Sequence, residues 1–265
     1  MALPWRWRVD GSEVTEHVEA RRDGDVLTLR LSRPEKKNAL TGAMYHALIA
    51  AFDEADDAES IGAILLAGSG GAFTAGNDIA DFLSLARDPE SAPPFQFVRR
   101  LARLETPLVA AVEGVAVGIG TTLLLHSDLA YAAPSAVFRM PFVDLGLVPE
   151  AGSSLLLPQR VGLAKASELL MLGEPFGAEE ALRLGLVNAV VPAAALLPHA
   201  VAQAQKLAAK PREAIRTTRR LLRGGRTALL QAIDAEAEVF LAALRSPEAQ
   251  AAVQSFLAKS KKAAA

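Results

Sequence analysis

Three short apolar runs constrain the fold of this chain more than any other feature. Val26–Leu31 alternates apolar and polar side chains, the period of a half-buried strand, whereas Ile61–Ala67 and Leu108–Val112 are apolar throughout, which suits strands covered on both faces. Helical segments separate them. Thr41 can cap a helix whose inner face is Met44, Leu48, Phe52 and Ala55, and another helix is expected around Phe95–Leu104. Leu129–Ala132 and Ala136–Arg139 are further short strands. Strands alternating with helices imply βαβ units on a largely parallel sheet, hence an α/β class. From Ser153 onward the character changes. Segments beginning near Leu163, Ala178, Ala195, Pro211, Arg226 and Pro247 carry helical periodicity, and only Leu186–Val191 looks extended. The expected division is an α/β core over residues 1–192 and a helical region over 193–265.

The helical region carries two patterns of its own. Leu230, Ile233, Ala237, Phe240 and Leu244 form an apolar stripe that can pack on the chain's own core or on a partner subunit. Arg212, Arg216, Arg219, Arg220, Arg223 and Arg226 read first as a solvated helix face, and second as a contact for an anionic ligand or a subunit. The net charge of −2 and the pI of about 6.1 argue against a nucleic-acid partner. Without cysteine, the chain can form no disulfide, thiol nucleophile or Cys-ligated zinc site, and His17, His46, His126 and His199 lack metal-ligand spacing, so no metal is expected. Pro107–Leu125 is long and apolar, but it holds Glu113 and several glycines, which favours a buried strand, turn and helix over a membrane span. The N-terminus lacks the apolar core of a secretory signal, and a cytoplasmic location is the default expectation.

Chemistry-bearing motifs are sparse. No glycine run ends in Gly-Lys-Ser/Thr, the Gly118–Gly120 pair lacks the third glycine of a dinucleotide fingerprint, and no G-x-S-x-G elbow is present. Two glycine-bearing segments remain, Ala72–Phe82 and Glu113–Thr122, each following a buried strand and each expected to open a helix. Helix starts offer unpaired N–H groups and a dipole that favours negative charge, so two of them side by side can aim two donors at one oxygen. An ordinary strand-to-helix turn is the competing explanation for either segment alone.

One carboxyl stands out against this background. Glu150 is the only acid between Asp144 and Glu168, and its neighbours are apolar or small. Such a setting desolvates a carboxylate and raises its pKa. The alternative is a cap for the Leu-rich helix that follows.

At this point the residues resemble a known family. Arg33–Leu40, the Ala72–Ile79 segment with its A-F-x-A-G-x-D-I pattern, Ala110–Gly120, and Asp128 in its D-x-x-x-A setting together look like the enoyl-CoA hydratase/isomerase, or crotonase, superfamily, with the match running from Val26 to Val191. The resemblance implies a spiral of ββα units with a C-terminal helical oligomerisation region, and assembly as a homotrimer or dimer of trimers. It implies an acyl-CoA thioester as substrate, with no separate cofactor, no nucleic acid and no membrane partner. By the same resemblance the backbone N–H groups of Asn77 and Ile119 are the oxyanion donors. Ala75, Gly76, Asp78, Ile79 and Gly118 flank the thioester and pantetheine, and Lys36 and Lys37 are candidates for the CoA phosphates. Glu113 departs from the Asn common before that glycine. The two positions where hydratases carry glutamates hold Thr122 and Phe142. Glu150 is then the remaining base, as in the peroxisomal-type Δ3,Δ2-enoyl-CoA isomerases, which the chain looks closer to. The other readings are hydration, ring-opening or C–C cleavage of an acyl-CoA, in which Asp81 or Asp144 matters, and non-catalytic acyl-CoA binding.

Overall fold

The computed structural model describes residues 12–15, 17–78 and 92–263 of the chain. Its strands are β1 (Ser12–Thr15), β2 (Val18–Asp23), β3 (Val26–Leu31), β4 (Ala63–Gly68), β5 (Leu108–Val112), β6 (Val115–Val117), β7 (Leu129–Ala132), β8 (Val137–Arg139), β9 (Phe176–Gly177) and β10 (Ala189–Val190). The helices are α1 (Gly42–Asp57), α2 (Pro93–Arg103), α3 (Ile119–Thr122), α4 (Ser153–Val161), α5 (Leu163–Leu172), α6 (Ala178–Arg183), α7 (Ala193–Ala208), α8 (Arg212–Arg223), α9 (Arg226–Leu244) and α10 (Pro247–Ala263).

A seven-stranded sheet runs in the order β1-β2-β3-β4-β5-β7-β10. The β1, β2 and β3 strands pair antiparallel, and from β3 to β10 every pairing is parallel. The expected strands are all present; β1, β2, β6 and β9 add to them. Along β4 the side chains alternate between two cores. Ile64 and Leu66 face one packed by α1 and α2, while Ala63, Leu65 and Ala67 face a smaller one closed by Leu196, Ala200 and Ala204 of α7. Both faces are dry, which explains why β4 and β5 carry continuous apolar runs rather than alternating ones. The approach of α7 is close: a Cβ at Gly62 would lie 2.7 Å from the Ala208 Cα. A second sheet, β6-β8-β9, stands apart from the first and carries the site.

Capping follows the sequence in α1, where Thr41 Oγ1 accepts the Met44 N–H at 3.3 Å, and Met44, Leu48, Phe52 and Ala55 are buried. The stripe on α9 packs on the chain's own core: Ile233, Ala237, Phe240 and Leu244 are buried there, with Leu230 at its edge. No helix among the described residues is long and apolar enough to cross a membrane, so Pro107–Leu125 is the strand, turn and helix expected of it.

The arginine series corrects the solvated-face expectation. Arg219 is only 7% exposed, and its Nε donates to Asp128 at 2.9 and 2.8 Å. Arg223 donates to the same carboxylate at 2.8 Å, and Arg226 pairs with Glu105. Arg212 and Arg216 donate to the carbonyls of Ile61 and Asp56. Helical spacing gave no hint of this, because a buried cationic face and a wet one have the same period; only the tertiary placement of Asp128 and Asp56 separates them. Asp128 also accepts the Leu108 N–H at 2.8 Å, so one carboxylate ties the start of β5 to α8. Asp128→Ala strands a buried guanidinium and is expected to lower the unfolding free energy by about 3–5 kcal/mol in denaturant titration. A loss below about 1 kcal/mol would put this pair with ordinary surface ion pairs.

Candidate active site

Two glycine-bearing segments meet over β6. Phe73 and Thr74 donate to the Val115 carbonyl at 3.2 and 3.0 Å, and Val117 donates back to Thr74 at 3.0 Å. The fit leaves no room for side chains. Gly76 has φ +88, and a Cβ there would lie 2.7 Å from the Val117 carbonyl oxygen; one at Gly120 would lie 2.6 Å from Thr74 Cγ2. On its other side the 75–78 stretch is laced to 37–40: Ala75 donates to Lys37 at 2.9 Å, Leu40 to Gly76 at 2.8 Å, and Asp78 to Leu40 at 2.8 Å. Buried Asn38 fixes that partner strand by donating to the Ser69 and Ala72 carbonyls at 2.9 and 2.7 Å.

This lacing uses the N–H groups of Ala75 and Asp78 and leaves that of Asn77 without an acceptor among the described residues. Ile119, the first residue of α3, is in the same position, since the N–H groups of a helix start have no partner within it. Both residues line one cavity of about 100 Å³, together with Ala75, Gly76, Val117 and Gly118. Pro141, Phe142, Leu145 and Leu147 form its apolar wall, and Phe240 reaches in from α9. The structure therefore gathers Ala75, Gly76, Asn77, Gly118 and Ile119, all singled out in the sequence, around one cavity, with Phe142 on the same wall. Ile79 and Asp81, and the helix expected after Ala72–Asp78, lie outside the described residues. Lys36 and Lys37 are exposed, and the carboxylate of Asp78 pairs with Arg33 at 2.6 Å. Asp144 forms a surface pair with Arg139 at 2.7 Å. No group of three or more acids and histidines among the described residues could hold a metal ion.

Glu150 is 7% exposed and is not one of the residues lining this cavity; Leu147, three residues earlier, is the nearest lining residue in sequence. Its Oε1 accepts from Thr122 Oγ1 at 2.5 Å. Thr122 closes the turn of α3 that Ile119 opens, so the carboxyl is anchored to the helix that presents a free N–H. No lysine or arginine pairs with Glu150 among the described residues. Burial pushes its carboxyl from 4.5 up to about 8; the Thr122 hydroxyl pulls the other way, and the charge of Glu236 adds to the rise.

The alternative of Glu150 as the cap of the following helix is not what the structure shows. Gly152 is the N-cap of α4, and the capping carboxylate comes from Glu236 on α9, which accepts from Gly152 N–H at 2.6 Å and from Ser154 N–H at 2.8 Å. Two more residues escaped the sequence reading. The Tyr45 hydroxyl on α1 donates to the Asn77 side chain, and burial followed by the Glu150 charge holds its pKa well above the usual value. His126 donates from Nε2 to the Ala151 carbonyl at 2.7 Å; burial pushes it down to about 4, which keeps it neutral. Glu236 and Tyr45 each stand within an apolar helical stripe, a signal that could have marked them, whereas His126 ends a leucine run and shows none.

Comparison with known proteins agrees with the geometry. The enoyl-CoA hydratase/isomerase family profile matches residues 21–263. The 1,2-epoxyphenylacetyl-CoA isomerase of Escherichia coli K12 is 35% identical over 257 residues, covering 93% of this chain and 95% of that protein. The rat protein named enoyl-CoA delta isomerase 2 is 33% identical, with 91% of this chain and 63% of that one aligned. A crystal structure of an enoyl-CoA hydratase/isomerase from Pseudoalteromonas atlantica T6c superposes with a TM-score of 0.88 at 37% identity, over 92% of this chain and 98% of that one. The chain belongs to the enoyl-CoA hydratase/isomerase family.

Proposed function

We propose that this protein is a Δ3,Δ2-enoyl-CoA isomerase with Glu150 as its proton shuttle. The observation that carries the reading is a buried carboxyl with no cation beside it among the described residues, anchored by Thr122 to the short helix whose first residue, Ile119, lines the cavity. In this reading the thioester oxygen of an acyl-CoA lies between the N–H groups of Asn77 and Ile119. Each such donor contributes roughly 2.7–4 kcal/mol as charge develops on that oxygen. Glu150 leaves the Thr122 hydroxyl, takes a proton from C2 and returns it to C4, so the double bond moves and no water is consumed. Hydration needs a second group to handle water, and the neighbouring positions hold Thr122 and Phe142. In this reading Ala75, Gly76 and Gly118 flank the thioester, and the exposed Lys36 and Lys37 meet the CoA phosphates. The substrate brings the coenzyme A, and no separate cofactor enters. Exposed Leu163, Met171, Leu221 and Leu222 support assembly as a homotrimer or dimer of trimers.

A second reading is ring isomerisation of an aromatic acyl-CoA, favoured by the name and 35% identity of the Escherichia coli relative. Presenting 3-enoyl-CoA and 1,2-epoxyphenylacetyl-CoA separately and identifying the products chooses between the two. Turnover of the second compound alone would replace the first reading.

Glu150→Gln is expected to lower kcat for double-bond migration by roughly 10²–10⁴-fold with little change in KM. Full activity in that variant would remove Glu150 from the mechanism. Because the base must be ionised, kcat/KM of the wild type should rise with pH through about 8. Stability should move the opposite way. The fold favours the protonated carboxyl, so that contribution is complete below about 4.5 and lost as pH rises through about 8. In thermal unfolding Glu150→Gln should therefore gain on the wild type across that window; parallel pH dependences would contradict the shift.

A further inference from the structure

Glu236 occupies an unusual place for an acid. It lies on the inward stripe of α9 between Ile233 and Phe240 and is 8% exposed. Both of its oxygens accept: Oε2 from Gly152 N–H at 2.6 Å, and Oε1 from Ser154 N–H at 2.8 Å and Ser154 Oγ at 2.5 Å. Every hydrogen bond found for Glu236 is thus one that its carboxyl oxygens accept from the turn. The N–H groups it engages are those of the start of α4, which has no side-chain cap of its own.

The turn it grips is the one that carries Glu150. Directly after Glu150 the backbone passes through two left-handed residues, Ala151 at φ +63 and Gly152 at φ +67. An alanine in that region costs about 1–2 kcal/mol, so the turn persists only because its surroundings impose it. His126 holds the Ala151 carbonyl at 2.7 Å, and Glu236 holds the next N–H along. The Thr122 hydroxyl fixes the end of the Glu150 side chain itself.

We propose that Glu236 is a positioning residue for Glu150: it locks the turn that aims the Glu150 side chain and lays a second negative charge against it. The inference rests on the reading of Glu150 as the base. A cap alone needs no charge directed at the active carboxyl, and here that charge is felt at Glu150. Among the described residues, four groups bear on Glu150 from the packed elements. Tyr45 on α1 is held in its neutral form and His126 is neutral, while Thr122 on α3 donates a hydrogen bond. Glu236 on α9 is thus the charged group set against it, and its own burial raises its pKa while Ser154 and Gly152 oppose that rise. Two interacting carboxyls titrate as a pair, and the outer one keeps the inner one basic.

The test compares wild type, Glu236→Gln and Glu236→Asp, each read by the pH profile of kcat/KM and, independently of turnover, by the infrared titration of the carboxyl band that Glu150→Gln removes. Glu236→Gln deletes the charge and keeps the size. The Glu150 band and the acid limb should both move to lower pH by about half a unit to one unit. Glu236→Asp keeps the charge and shortens the reach. It should leave the band in place and lower kcat about tenfold or more with KM little changed. An unmoved band in Glu236→Gln, or wild-type kcat in Glu236→Asp, overturns the proposal. Should Glu236→Gln not fold, the aspartate variant decides the positioning claim alone. Full activity in Glu150→Gln sinks the base reading instead, and the infrared titration still reports whether Glu236 is felt at Glu150.

Discussion

A carboxyl group sealed from water with no cation beside it is expensive, and the C-terminal half of this structure is arranged around one. Glu150 is buried and accepts one hydrogen bond, from Thr122, while the charge of Glu236 opposes its ionisation. Burial of that kind favours the protonated form and pushes the carboxyl from 4.5 up to about 8, the range the proposed proton shuttle needs. The cost is met by contacts from three directions. His126 binds the Ala151 carbonyl, Glu236 binds the Gly152 and Ser154 amides, and Thr122 binds the carboxyl. Strain and desolvation concentrated in one turn, with the surroundings over-determining it, are what the proposed role of Glu150 rests on.

The rest of the fold supplies the other half of the chemistry. Because β4 and β5 are dry on both faces, the segments leaving their ends are fixed by a rigid sheet. Those segments then pack so closely that Gly76 and Gly120 cannot carry side chains, the lacing to 37–40 takes the N–H groups of Ala75 and Asp78, and Thr74 Oγ1 takes that of Gly76. What remains is a pair of N–H donors, at Asn77 and Ile119, on the wall of one cavity. α3 links the two halves, since Ile119 and Thr122 stand at the two ends of its single turn. A shift of that turn moves a donor and the anchor of the carboxyl together.

Much of this was legible in the sequence, and the reasons are local. The apolar runs gave the strands because their burial on both faces is written into each run. The glycine-bearing segments Ala72–Phe82 and Glu113–Thr122 stood out as turns after buried strands that could aim N–H donors at one oxygen; the close backbone approach at Gly76 and Gly120 came only with the structure. Glu150 stood out because its neighbours could not solvate it. What the sequence did not disclose depends on residues far apart in the chain. The partners of Arg219 and Arg223 at Asp128 are about ninety positions away, and the capping carboxylate of α4 comes from Glu236. A helical stripe containing a glutamate or a tyrosine reads as tolerance until tertiary packing shows what that side chain holds. The strands β1 and β2 were missed for a simpler reason: polar residues such as Glu19, Arg21 and Arg22 dilute the alternation of β2.

The central claim is that one carboxyl carries the proton from C2 to C4. Its most direct test uses 3-enoyl-CoA deuterated at C2 in a single turnover in light water, with the product analysed for label by position. A single buried shuttle predicts deuterium at C4 of the 2-enoyl product, well above the background set by solvent. Deuterium lost entirely to water at the earliest measurable time, with turnover intact, would mean that separate groups or water carry the two proton transfers, and would contradict the account.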